Sequence, residues 1–217
     1  MSSRILAIDT TSESGSIALL TDGSLSEERA LRSPEGFAHI LFGEISALLA
    51  RHGVTLCDID CFASASGPGA FTGVRVGLTA VKGLAEATGR KVVAVSNLAA
   101  LAACGSRELR APVIDARRGE VFGAVYDAAL RAVREEVVMK FEDWLRTLPA
   151  GDVEIVNGGV AVPGDLAIPV TAGRAALAGV IGRIAGDRFT AGIAADPAEI
   201  DANYVRRSDA ELLWRDG

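Results

Sequence analysis

Arg4-Ile-Leu-Ala-Ile-Asp9, Ser14-Gly-Ser-Ile-Ala-Leu-Leu20 and Ser24-Leu-Ser-Glu-Glu-Arg-Ala-Leu31 read as three successive strands. Thr21-Asp22-Gly23, between the second and third, is a hairpin turn, because Asp-Gly tolerates positive φ. Ser33-Pro34-Glu35 then opens a helix expected over residues 35–51. Serine suits its N-cap, proline its first turn and glutamate the positive end of its dipole. Phe37, Ile40, Leu41, Ile45, Leu48 and Leu49 recur at helical spacing until His52-Gly53 stops the run. Ile59 to Ser66 is an apolar strand and Gly67-Pro68-Gly69 a turn. A helix is expected from about Ala70 to Thr88, closed by Gly89. Lys91 to Val95 is a strand, and Ser96 caps a short helix ending near Cys104.

The second half repeats the order. Strands are expected at Pro112 to Ala116, Glu120 to Asp127 and Ala132 to Lys140, then a helix from Glu142 to Leu148. A strand at Val153 to Asn157, one near Ile168 to Val170 and a helix from Arg174 to about Ala185 complete it. Each half is three antiparallel strands followed by helix, strand, helix, with no identity between the halves. That order describes an α/β protein with two mixed sheets flanked by helices, the two-lobed ribonuclease-H-like architecture of actin and Hsp70. The expected lobes are residues 1–106 and a smaller one over 107–217. The tail from Ile200 to Trp214 ends in a short helix that packs back on the first lobe.

Composition narrows the function. The chain has 217 residues, 49% hydrophobic and 23% charged, as in an ordinary globular protein. The longest uncharged run, Val92 to Ser106, is 15 residues, short of the ~20 that a bilayer requires. No signal peptide is visible at the N-terminus, so a cytoplasmic location away from membranes is expected. The net charge is −6, and the basic clusters are no longer than the pairs Arg117-Arg118 and Arg206-Arg207. This argues against tight nucleic-acid binding by the chain alone. Cys57, Cys61 and Cys104 form no CxxC, and His39 and His52 supply no zinc-ligand spacing, so free thiols are expected.

Two features carry candidate chemistry. In Gly67-Pro-Gly-Ala-Phe-Thr-Gly-Val-Arg-Val-Gly77 a glycine turn joins a strand to a helix, an arrangement that can cradle phosphate. The Walker A register is absent, however, and the glycines read GxGxxxG. Gly69, Gly73 and Gly77 also share one helical face. Each glycine costs about 1 kcal/mol relative to alanine inside a helix, so close approach of another backbone is the simpler reason for them. Ala80 and Leu84 extend the stripe, while Val74, Leu78, Val81 and Ala85 suffice to face the sheet. A helix with two apolar faces is covered by a partner or by another helix of its own chain. The partner reading makes Phe37, Ile40, Leu41, Gly69, Phe71, Gly73, Gly77, Ala80 and Leu84 the candidate interface. The second feature is a pair of strand ends, Asp9-Thr10-Thr11 and Asp115. In two-lobed phosphotransferases such acids hold magnesium and nucleotide; the competing reading is turn chemistry.

Gly67-Pro-Gly-Ala-Phe-Thr-Gly-Val-Arg-Val-Gly-Leu78 resembles the glycine motif of the TsaB (YeaZ) family. Ile5-Leu-Ala-Ile-Asp-Thr-Thr11, Val93-Ala-Val-Ser-Asn-Leu-Ala-Ala-Leu101, Val113-Ile-Asp-Ala-Arg-Arg-Gly-Glu-Val-Phe122 and Tyr204-Val-Arg-Arg-Ser-Asp209 resemble its other landmarks in order, most strongly over residues 4–126. The resemblance implies a non-catalytic subunit of the bacterial machinery that makes threonylcarbamoyladenosine at position 37 of ANN-decoding transfer RNA. Its implied partners are the catalytic subunit TsaD and the ATPase TsaE, with a homodimer when alone and transfer RNA met only through the complex. It implies no cofactor of the chain's own; ATP or ADP and a metal belong to the assembly. The two metal-binding histidines of the catalytic relative fall here on Asn97 and Leu101, and leucine cannot ligate a metal. Where many relatives read His-x-x-x-Leu-x-Pro, this chain has Phe37-Ala-His-Ile-Leu-Phe-Gly43. Relatives were once called proteases, yet no HExxH, Ser-His-Asp set or nucleophile elbow is present. An ATP-dependent small-molecule kinase using Asp9 and Asp115 is the rival reading, and a self-contained homodimer the second.

Overall fold

β1 (Arg4–Asp9) and β4 (Cys61–Ala65) are buried on both faces, from Ile5 onward in β1 and throughout β4. Apolar runs of this kind belong in the middle of a sheet covered on both sides. The sheet order is β3-β2-β1-β4-β5, with β2 (Gly15–Thr21) and β3 (Ser24–Leu31) antiparallel and β4 and β5 (Lys91–Val95) parallel to β1. The computed structural model describes residues 3–205.

Alternation along β1 sorts its two covers. Leu6 and Ile8 share a core with Leu41, Ile45 and Leu48 of α1 (Leu41–Arg51) and with Val74, Leu78 and Val81 of α2 (Phe71–Thr88). The Ala7 side receives α5 (Ala178–Thr190), where a Cβ on Gly182 would overlap Leu20 Cδ1 and approach Ala7. The N-terminus of α5 is held by the sheet itself. Ala178 N–H donates to Ser16 Oγ at 3.0 Å and Gly179 N–H to Glu28 Oε1 at 2.7 Å. These contacts satisfy amides that no helical carbonyl can reach.

The second sheet is ordered β10-β9-β6-β7-β8. Its strands are β6 (Leu109–Arg117), β7 (Glu120–Asp127), β8 (Ala132–Lys140), β9 (Val153–Asn157) and β10 (Val170–Ala172). Numbered from its own first strand, each sheet reads 3-2-1-4-5, so the expected repeat of element order is a repeat of topology. Leu98 and Ala99 of α3 (Asn97–Ala102) pack with Ala116, Phe122 and Tyr126 on one face. Trp144 of α4 (Phe141–Arg146) packs with Val113, Val121 and Ile155 on the other, its indole lying where a Cβ on Gly123 would be.

Three expectations change. The first long helix starts at Leu41, since Gly36 at φ +89° breaks the chain and Phe37–His39 form a single 3-10 turn. That turn delivers the Phe37 ring over Gly15, where a Cβ would be 2.8 Å from it. The final long helix starts at Ala178 and packs on the first sheet. The chain also divides after Ser96 where the expected boundary was 106/107, and Ala176–Ala202 returns to the first unit. The reason is packing: α3 follows β5 yet covers β6 and β7, and α5 follows β10 yet covers β1 and β2. The expected tail helix extends beyond the described residues. Among the described residues no helix is long and apolar enough to cross a membrane.

Candidate protein interface

The glycine face of α2 meets its own chain. Ala70 N–H donates to Thr11 O and Thr10 Oγ1 donates to Gly73 O, each at 2.7 Å. A Cβ on Gly69 would come within 2.7 Å of Thr11 O, and one on Gly73 would overlap Thr10 O. One on Gly77 would lie 2.8 Å from both Ser64 Oγ and Thr10 Oγ1. The expectation that Gly69, Gly73 and Gly77 form a seam for a partner is corrected: they admit the end of β1. Phe37, Leu41, Ala80 and Leu84, expected at the same seam, lie in the first unit's core at 8% exposure or less. Ile40 is half-buried, and Phe71 alone of the nine is exposed.

The outward faces of the two helices are a different set. On α1 they are Phe42, 57% exposed, with Gly43, Ser46, Ala47 and Ala50. On α2 they are Phe71, 41% exposed, with Thr72, Arg75, Thr79 and Gly83. The Arg75 guanidinium lies 3.8 Å from the Phe71 ring centroid, a cation–π contact that keeps the ring at the surface. Nothing lies within 4 Å of where a Cβ on Gly43 or Gly83 would stand. The α1 charges belong to its flank, with Glu44 paired to Arg29 and Arg51 to Glu27 on β3. Besides Arg75 over Phe71 and Glu86 in the last turn of α2, the outward residues are small or aromatic, a surface on which another helix can lie close. Sequence reasoning named Phe71 but missed Phe42 and its α1 neighbours, because Phe42 and Leu41 look alike by hydrophobicity. The available signal was Gly43, Ser46, Ala47 and Ala50 at i, i+3, i+4 and i+7.

At the strand ends each carboxylate organises its own turn. Asp9 is buried, and its Oδ1 accepts from Thr11 N at 3.0 Å and Thr11 Oγ1 at 2.6 Å. Asp115 is exposed, and its Oδ1 accepts from Arg117 N at 2.8 Å. Asn97 and Leu101 are buried in α3, and Leu101 packs against Gly158 and Gly173. Glu154 is a buried acid that the alternation of β9 did not reveal. It is 1% exposed and accepts from the amides of Ser106 and Arg107 and from the Thr171 hydroxyl at 2.6 Å. Burial pushes its carboxyl up, but the Thr171 hydroxyl and the two amides outweigh burial and hold it below the ordinary value.

A family model described as tRNA N6-adenosine threonylcarbamoyltransferase, TsaD, matches residues 34–175. The tRNA threonylcarbamoyladenosine biosynthesis protein TsaB of Escherichia coli is 39% identical over 127 residues, covering 57% of this chain and 54% of that protein. TsaB of Bacillus subtilis is 33% identical over 153 residues, 68% of this chain and 67% of that one. The chain thus aligns with between about half and two thirds of these curated relatives. The solved structure of YeaZ from Pseudomonas aeruginosa superimposes with a TM-score of 0.80 at 30% identity, covering 93% of this chain and 99% of that one. With the shared topology of both sheets and the glycine helix seated on β1, these likenesses show that the chain belongs to the TsaB/YeaZ family.

Proposed function

We propose that this chain is the non-catalytic scaffold subunit of the machinery that attaches threonylcarbamoyl to adenosine 37 of ANN-decoding transfer RNA. It binds the catalytic subunit TsaD through the outward faces of α1 and α2, and the ATPase TsaE joins the pair. The observation that carries this is the exposed small and aromatic surface around Phe42 and Phe71 on two otherwise core-forming helices, in a member of a family whose curated relatives are named for this pathway. Burial of Asn97 and Leu101, at positions where the resemblance puts the catalytic relative's metal ligands, supports a chain with no transferase centre of its own. The ATP or ADP and the metal belong to the assembly. In isolation the chain closes the same surface by pairing with a second copy.

The test is co-expression with a bacterial TsaD, size-exclusion chromatography, and threonylcarbamoyl transfer to unmodified tRNA with TsaE present. A one-to-one complex and transfer that requires both chains are expected. Phe42→Glu should leave the melting curve intact and remove pairing. Transfer by the chain alone, or wild-type pairing by Phe42→Glu, overturns the reading.

A further inference from the structure

The hairpin joining β6 to β7 is built from residues that its backbone disfavours. Arg117, Arg118 and Gly119 have φ of +65°, +57° and +74°. Arg117 pairs with Glu120, so Arg118-Gly119 is the two-residue loop, with a bulge at Ala116 leading into it. Positive φ at both loop positions marks the mirror-image turn that calls for Asn-Gly or Asp-Gly. The first unit's hairpin obeys the rule, with Asp22 at +52° and Gly23 at +74°. Unlike asparagine or aspartate, arginine has no short polar side chain with which to offset left-handed geometry, and two in succession are rarer still. Asp115 helps to hold the turn in place: its Oδ1 accepts from Arg117 N, and its Oδ2 lies 3.9 Å from Arg117 Nη1. Strain of this kind, kept in place by its surroundings, marks positions chosen for what the side chain does.

Register gathers more cations at the same end of the sheet. Val113, Asn157 and Ala172 are level across β6, β9 and β10. Arg174 stands two residues beyond that level and Arg117 four. Arg117, Glu120 and Lys140 are level across β6, β7 and β8. Arg117, Arg118, Lys140 and Arg174 are all exposed, and the exposed glycines Gly158 and Gly159 follow β9 between them. Glu120 and Asp115 are the acids among them, and Glu142 and Asp143 follow Lys140 on α4. Strands lie ~4.8 Å apart, so the cations spread across some 20 Å, the reach of several nucleotides and too wide for one small anion. This is the carboxyl end of the parallel strands, where open α/β sheets bind ligands.

We propose that the Arg117-Arg118 hairpin is a contact for the phosphodiester backbone of RNA. The choice of RNA as occupant rests on the function proposed above; the anion site does not. Phosphate contacts are not sequence-specific and fix orientation, which suits an accessory surface on a chain of net charge −6. Such a surface is weak alone and adds to an assembly.

Fluorescence anisotropy of unmodified tRNA with the full chain tests it. At about 50 mM salt the wild type should bind in the ~100 µM range, with affinity falling steeply as salt rises. Arg117→Gln/Arg118→Gln should bind about tenfold more weakly and lower the log–log salt slope by about 2, near 1 for each arginine that no longer neutralises a phosphate. Arg131→Gln/Arg134→Gln makes the same charge change at the opposite end of the sheet and should stay within about twofold. Arg118→Asn should weaken binding and raise the melting temperature by about 2 °C, since asparagine accepts the turn. The assignment falls if the wild type does not bind, if both double variants weaken binding equally, if Arg118→Asn melts no higher, or if polyglutamate displaces labelled tRNA from the protein better than unlabelled tRNA does. If TsaD-dependent transfer fails while tRNA binding follows the hairpin, the pathway reading falls and the site stands. The reverse result removes the site alone.

Discussion

The two sheets share one topology and differ in cover. The first carries helices of 11, 18 and 13 residues, with α5 on one face and, on the other, a large core that joins α1, α2 and all five of its strands. Among the described residues the second carries two helices of six residues, and buried side chains form a small cluster on each of its faces. The connection from β9 to β10 has no helix at all. A repeated strand order therefore does not dictate equal depth of packing. The deeply packed unit can spare the outer faces of α1 and α2 for another protein. The thin unit offers loops at the ends of its strands.

The sharpest way to break this comparison is to detach α5 with Ile181→Asp/Ala185→Asp, at two fully buried positions of that helix. The first sheet would then expose the Ala7 and Leu20 face, and its unfolding transition should vanish in calorimetry while the second unit still melts. Survival of the first transition would show that α5 is only an accessory. Next is Gly73→Leu, whose side chain must displace the Thr10 carbonyl. We expect a loss of about 3 kcal/mol or more in urea unfolding, in contrast to the mild gain that helix propensity alone suggests. An undiminished midpoint would return the glycine stripe to the surface.

Acid should act on the thinner unit through Glu154. Its carboxyl is held below the ordinary glutamate value in the folded state, so its contribution is present above that ordinary value and is lost as pH falls through the lowered folded one. Glu154→Gln should flatten that part of the stability profile, followed by the far-ultraviolet melt. An unchanged acid limb would place the sensitivity elsewhere. The smallest effect is expected at Gly83, where there is open space for a methyl group. Gly83→Ala should add about 0.5–1 kcal/mol, and a loss there would mean that the outer face of α2 is already covered.

Strand identity was legible because the apolar runs end at residues with clear turn chemistry. β1, β3, β5, β7, β8 and β9 begin and end where the pattern places them. Helix starts were less legible. Ser33 has the chemistry of a cap, yet Gly36 takes a φ that ends any helix begun before it. The candidate interface failed for a related reason. Hydrophobic spacing shows that α2 has two faces needing cover and says nothing about what covers them. Gly73 and Gly83 are the same residue in the same helix, and only the position of Thr10 separates a structural glycine from a free one. The exchange of α3 and α5 leaves no periodic trace either, because an amphipathic helix fits any apolar sheet of suitable width.

That exchange bears on synthesis. The segment that closes the first sheet is made after nearly all of the second, so the nascent chain carries an uncovered apolar face through most of its translation. The usual order, in which the N-terminal domain folds while the next emerges, is closed to this protein. The contacts of β1 with α5 span most of the chain, and contacts of such separation form slowly. Ribosome-bound chains stalled before Ala178 should therefore be open to protease across β1 and β2, and chains released after Thr190 should become resistant in one late step.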